Sequence, residues 1–115
     1  MILGVGVEPG TPPEYLREAV AALGEIEVDV VATLDRRRDE PAVTAVAAGR
    51  TLLAYTTEEL DAVDVPNPSA VVRRLTGTGS VAEAAAILAA RATGGAGELV
   101  VGKRRGRMVT VALAR

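Results

Sequence analysis

A core that has to be assembled from alanine and valine is what most narrows the folds open to this chain. The 115 residues include 21 Ala and 17 Val, with no Phe, no Trp and two Tyr. Each small side chain removes little apolar surface from water, and hydrophobic stabilisation scales with that area. Stability must therefore come from backbones lying close together, with helices low on a sheet and glycine where they touch. At 49% apolar and 24% charged residues the composition is globular. A chain of this length forms one domain and buries roughly two-thirds of its unfolded surface. Residues 1–115 are read as that single domain.

What is missing prunes the chemistry. Without His there is no Ser-His-Asp triad and no imidazole base. Without His and Cys together, a zinc or iron–sulfur site, a disulfide and a thiolate nucleophile all drop out. No metal and no cofactor is expected. A net charge of −2 and the lack of Phe and Trp argue against a nucleic-acid partner. No apolar run approaches the roughly 18 residues of a membrane span, and no signal peptide precedes the first strand. The expectation is a soluble cytoplasmic protein with no membrane partner. Acid–base work by Asp, Glu, Lys, Arg, Tyr, Ser or Thr remains, or binding alone.

Periodicity and turn chemistry predict the elements. Met1 to Val7 reads as a buried strand whose Gly4 and Gly6 suit close backbone contact. Thr11-Pro12-Pro13-Glu14 reads as a helix start with Thr11 as N-cap, running to Leu23 before Gly24. Val28 to Leu34 is the second strand, and Asp39-Glu40-Pro41 opens a helix to about Ala48. Thr51 to Tyr55 is the third strand, and Thr56-Thr57-Glu58-Glu59 is a capping box for a short helix. Val63 to Pro68 reads as a loop, and Asn67-Pro68 caps another short helix through Leu75, broken at Gly77-Thr78-Gly79. Ser80 to Glu83 is a second capping box, opening an Ala-rich helix to about Ala92 with Val81, Ala84, Ala85, Leu88 and Ala92 on its sheet face. Leu99 to Val101 and Met108 to Ala114 form an antiparallel pair, joined by Lys103-Arg104-Arg105-Gly106-Arg107 as a basic loop. The fold class is α/β: a three-layer α/β/α arrangement with a mixed, mainly parallel sheet of about five strands, ending in an antiparallel pair.

Three constellations have chemical potential, each with a plainer reading beside it. Gly4-Val5-Gly6 with Gly10 departs from the dinucleotide fingerprint in spacing, and Pro9, Pro12 and Pro13 intervene, so packing explains it better. Arg36-Arg37-Arg38 beside Asp39-Glu40 is either a solvated charge cluster or a set of guanidinium groups at a strand end. In the second case Glu40 is the candidate catalytic acid or base, or an orienting partner for Arg37. The basic run from Lys103 to Arg107 either protects a sheet edge or reaches over an anionic ligand. Ser80 and Glu83 are accounted for by capping, and Thr110 by strand propensity.

Taken as a set, these segments resemble the cobalamin-biosynthesis family comprising CobE and the C-terminal domain of CbiG. Gly4-Val5-Gly6 matches the opening Gly-x-Gly, and Thr33 to Pro41 matches a Thr/Ser-Ile-Asp stretch followed by a basic position and a Glu. Glu58-Glu59-Leu60 with Val65-Pro66-Asn67-Pro68-Ser69, and Gly77 to Leu88 with its Ser80-Val81-Ala82-Glu83, match two further segments. Lys103 and Thr110 to Arg115 match the closing Lys and Thr-x-Ala-x-Ala-Arg. The resemblance therefore covers almost the whole chain. It departs at Val7-Glu8-Pro9-Gly10, where the family commonly has a Cys followed by basic residues, and at Arg37, where it has Lys.

The resemblance implies a role in building the corrin ring. It makes Gly4, Gly6, Asp35, Arg37, Glu40, Ser80, Glu83, Lys103 and Thr110 the ligand-binding candidates. Its implied ligand is a corrinoid, a precorrin or cobalt-precorrin intermediate rich in carboxylates, which Arg36 to Arg38 and the cations from Lys103 to Arg107 can complement. The implied protein partner is a CbiG N-terminal-type hydrolase or another corrin-pathway enzyme, since only the C-terminal-type domain is present. Three readings stay open: an auxiliary binding protein, a cobalt-precorrin-5A hydrolase-type enzyme using Glu40 or Glu83, and a small partner-docking module.

Overall fold

The computed structural model describes residues 1–65 and 80–115. The helix expected from Asn67-Pro68 and the Gly77-Thr78-Gly79 break lie outside the described residues. Five strands form one sheet in the order β3-β2-β1-β5-β4. Strands β1 (Ile2–Val7), β2 (Val30–Leu34) and β3 (Thr51–Tyr55) pair in parallel. Strand β5 (Val109–Ala114) lies antiparallel to β1 on one side and to β4 (Leu99–Arg105) on the other. Four strands thus point one way and β5 alone is reversed. The mixed α/β sheet expected from the element order is the one found.

Helices cover both faces. Helices α1 (Pro13–Ala21) and α2 (Pro41–Ala47) pack on one side, where Leu16, Ala42 and Val43 meet Leu3, Val5, Val31, Val111 and Leu113. Helices α3 (Thr57–Asp61) and α4 (Val81–Ala92) pack on the other, over Ile2, Val30, Ala32, Leu34 and Ala114. The small-residue core works by proximity. A Cβ built on Gly4 would stand 1.9 Å from the Ala82 carbonyl oxygen, so α4 rests directly on the backbone of β1. The buried surface of α4 is wider than the expected stripe. Ala82, Ala86, Ala89 and Ala90 are buried with Ala84 and Ala85, whereas Ala92 is exposed.

Local signals were decisive where a turn closes on itself. Thr56 accepts the Glu59 N–H at 3.1 Å and the Glu59 carboxylate accepts the Thr56 N–H at 2.9 Å, the full capping box expected there. Strand β3 has the expected ends, and Gly49, with φ of +76°, directly follows the C-cap of α2. Helix α1 ends at Ala21, earlier than the expected Leu23, and a turn through Ala22 and Leu23 leads to Gly24 at φ +94°.

Three elements differ from expectation. Thr11 does not cap α1; Pro12 holds that position, because the buried Thr11 hydroxyl donates instead to the Glu8 carbonyl at 2.6 Å and closes the preceding turn. Strand β2 begins at Val30, two residues later than expected, with the Asp29 N–H on the Met1 carbonyl at 3.0 Å just before it at the sheet margin. The basic run is not a loop. Lys103, Arg104 and Arg105 belong to β4, and the connection shrinks to Gly106-Arg107-Met108, closed by a Gly106 N–H to Val109 carbonyl bond of 2.9 Å with Met108 at φ 60°. Strand β4 is the sheet edge, where long cations can leave for solvent while the backbone stays paired on one side.

Candidate functional site

The topology gathers the candidates at one end of the sheet. Strands β1 to β4 run the same way, so Gly6, the segment after Leu34, Thr56 and the Lys103–Arg105 segment all sit at their carboxyl ends. Reversed β5 begins there, placing Thr110 opposite Gly6. Helix α4 starts above the same point, with the Val81 Cβ 3.6 Å from where a Gly6 Cβ would stand. Open α/β sheets bind ligands outside such strand ends, where successive connections leave on opposite faces. Here α1 and α2 depart on one face and α4 returns on the other.

Asp35, Arg37 and Glu40 form the first group. Leu34 leads into a 3-10 turn, Asp35–Arg37, whose Asp35 carbonyl accepts the Arg38 N–H at 3.3 Å. The Arg37 Nε donates to the Val7 carbonyl at 3.2 Å, tying the end of β2 to the end of β1. Glu40, the N-cap residue of α2, makes no cap bond; its Oε1 accepts the Gly10 N–H at 2.8 Å and fixes the β1–α1 turn. Both side chains thus hold backbone at the mouth of the sheet, a positioning task that residue spacing does not disclose. Arg36 and Arg38 are exposed. Arg36 also reaches the field of Glu58 in the first turn of α3. The Glu58 carboxyl is held below the usual carboxylate range, first by its own N–H, then by the Thr57 hydroxyl, with Arg36 a lesser contributor. Burial, then the Glu59 carboxylate, pushes the Tyr55 phenol up.

Gly4, Gly6, Ser80, Glu83, Lys103 and Thr110 form the second group, on the α4 face. Ser80 caps α4, its Oγ accepting the Glu83 N–H at 3.5 Å. The Glu83 side chain is fully buried, and its Oε2 accepts the Lys103 N–H at 2.9 Å. That N–H is turned toward α4 by the irregularity of β4 between Val101 and Arg104. Gly4 lies one step deeper, beneath the Ala82 carbonyl, which makes it a packing residue. Val7, in the stretch where the resemblance placed a Cys, is buried in the core under α1 and α2.

At the opposite end of the sheet a cleft of ≈ 280 Å³ is lined by Met1, Asp29, Thr93 and Arg115. Its charges are already paired: the Met1 ammonium with Asp29 at 2.9 Å, and Arg115 with Glu98 at 3.5 Å. Among the described residues no three of His, Cys, Asp and Glu gather as a metal-binding group, and no helix is long and apolar enough to cross a membrane.

Residues 1–114 match the family model described as Cobalamin synthesis G C-terminus. The chain is 36% identical over 126 aligned residues to Protein CobE of a Sinorhizobium species, covering 99% of this chain and 79% of that protein. It is similar to the crystal structure of CobE, a protein from the cobalamin (vitamin B12) biosynthetic pathway. That likeness has a TM-score of 0.84 and 34% identity, covering 96% of this chain and 89% of that one. A cobalamin biosynthesis protein, chiG from Agrobacterium tumefaciens, aligns with a TM-score of 0.67 and 30% identity, covering 96% and 94%.

Proposed function

Because the chain belongs to the Cobalamin synthesis G C-terminus family and is a cobalamin biosynthesis protein, we propose that it binds a precorrin or cobalt-precorrin intermediate through the carboxylates around that ring, as an auxiliary to a ring-modifying enzyme. The observation that supports this is the concentration of cations at the carboxyl end of the sheet on a chain whose net charge is −2. Arg36 and Arg38 stand exposed beyond β2, and Lys103 and Arg105 lie at the end of β4. Guanidinium groups take carboxylates through two parallel hydrogen bonds. Here they stand among Glu8, Asp35, Asp39, Glu58 and Glu59, so each acid group of a ligand is met by an individual cation rather than by a uniformly positive surface. The chain has no imidazole to offer a cobalt ion, so recognition goes through the ring's outline and its acid side chains. Glu40 and Glu83 each have an oxygen on a backbone N–H, which suits scaffolding better than proton transfer.

The test is a visible-absorbance titration with an intermediate between the precorrin-5 and precorrin-8 stages, followed by mass spectrometry of the recovered ligand. The expected result is a saturable spectral shift, unchanged ligand mass, and affinity that falls with added salt. A changed ligand mass replaces the binding role with a hydrolase-type reaction, and the mass lost names the bond broken. No shift replaces it with docking on a protein partner.

A further inference from the structure

Two adjacent arginines of β4 leave the sheet on opposite sides. Arg104 stands opposite Val111 and Arg105 opposite Thr110. Directly opposed residues of an antiparallel pair share a face, with Cβ atoms about 4.5–5.5 Å apart. Val111 is buried in the core under α1 and α2, so Arg104 emerges on that side. Thr110 lies on the α4 side, where its Oγ1 is 2.7 Å from the place a Gly6 Cβ would take. Gly6 is in turn the β1 partner of Thr110. Gly6, Thr110 and Arg105 therefore form one row across β1, β5 and β4 at the carboxyl end of the sheet, on the face beneath the start of α4.

Several other arginines are already engaged. Arg107 donates to the Tyr15 hydroxyl at 2.7 Å and stacks 4.1 Å from that ring's centre. Arg37 bonds the Val7 carbonyl, and Arg50 bonds the Val28 and Val46 carbonyls. Among the described residues, neither the Arg105 guanidinium nor the Thr110 hydroxyl has a hydrogen-bond or ion-pair partner. Gly6 and Thr110 are half-buried and Arg105 is exposed, so the row is open at the cationic end and sheltered at the hydroxyl end. A hydroxyl and a planar pair of N–H donors on facing positions match the donor needs of a single carboxylate.

We infer that Thr110 and Arg105 form the seat of one ligand carboxylate, on the α4 side of the sheet, with Gly6 bare so that the acid group can reach the hydroxyl. This rests on the proposed binding of a polycarboxylate ring intermediate and adds which face receives it. Arg104, counted among the complementary cations on sequence alone, belongs to the other face and takes no part.

The experiment repeats the absorbance titration with wild type, Arg105→Gln, Thr110→Val and Arg104→Gln, with a thermal melt of each to confirm folding. Arg105→Gln is expected to weaken binding about tenfold or more, as loss of a charge-assisted pair does. Thr110→Val keeps the β-branched shape and loses only the hydroxyl, for about fivefold. Arg104→Gln removes the same charge one residue away and is expected to stay within about twofold. Equal weakening by Arg104→Gln and Arg105→Gln, or no weakening by Arg105→Gln in a protein that binds, overturns the seat and leaves the binding reading standing. A wild-type protein that does not bind overturns that reading and the seat with it.

Discussion

Gly4→Ala is expected to destabilise the fold by about 3 kcal/mol, at the upper end of what overpacking a core costs. The new Cβ would stand 1.9 Å from the Ala82 carbonyl oxygen and 2.9 Å from the Ala86 Cβ. A side chain could turn aside, but a carbonyl held in a helix cannot, so α4 as a whole must lift from β1. The facing side chains of α4 are mostly alanines, fully buried at 82, 84, 85, 86, 89 and 90. Alanine has no length with which to refill a gap, so the lift loses contacts along the helix. For a domain of this size the melting temperature should fall by roughly 12 °C. The control is Gly10→Ala. Gly10 has φ of +78° and open space around it, so the cost there is backbone strain alone, about 1 kcal/mol. Urea unfolding of both variants checks the pair. A Gly4→Ala protein no less stable than Gly10→Ala would mean that α4 does not rest on β1.

Glu83→Ala is the second large effect, expected at about 3 kcal/mol from an unmet buried hydrogen bond together with a cavity. The Glu83 carboxylate is fully buried and receives the Lys103 N–H where β4 departs from regular pairing. Truncation deprives that N–H of its acceptor and empties the space between α4 and the sheet edge. Glu83→Gln keeps an acceptor oxygen and nearly the same volume, and should lose about 1 kcal/mol. Thermal melts give the ranking, and hydrogen exchange locates it: the Lys103 amide should exchange faster in Glu83→Ala and change little in Glu83→Gln. If Glu83→Ala melts with the wild type and its Lys103 amide stays protected, the contact between α4 and β4 is not what shapes that edge.

Glu83 also shows where residue patterns stop being informative. Ser80 and Glu83 have the spacing of a capping box, and so do Thr56 and Glu59. Only the second pair is reciprocal in the described contacts, because the Glu83 side chain meets a bulged strand 20 residues away in sequence. Local chemistry sets the turns, and a distant backbone decides what a side chain finally holds. Glu40 repeats the point, having the look of an acid–base candidate while its oxygen serves the Gly10 N–H 30 residues earlier. The basic run of β4 shows the same limit: a string of Lys, Arg and Gly is equally compatible with a loop and with an exposed edge, and only pairing with β5 separates them.

Other parts were legible because short-range physics fixes them. The shortage of large side chains announced close helix–sheet contact, and Gly4 lies where that contact is closest. The β-α alternation gave the layer architecture, a β-branched run gave most of β2, and the short apolar run between Gly49 and the Thr56 capping box gave β3. Thr110 entered as a candidate only through the family resemblance, and nothing in the sequence set Arg105 apart from Arg104. Register does so, since a shift of one residue in a strand exchanges its two faces.

The most direct test of a ligand site at the carboxyl end of the sheet is an amide NMR titration with the same precorrin-stage intermediate. The predicted result is that shifts concentrate at Gly6, Asp35 to Glu40, Val81 and Thr110, while Met1, Asp29, Thr93 and Arg115 at the opposite end stay unchanged. Shifts confined to that opposite end, or spread evenly over exposed arginines on both faces, would contradict it.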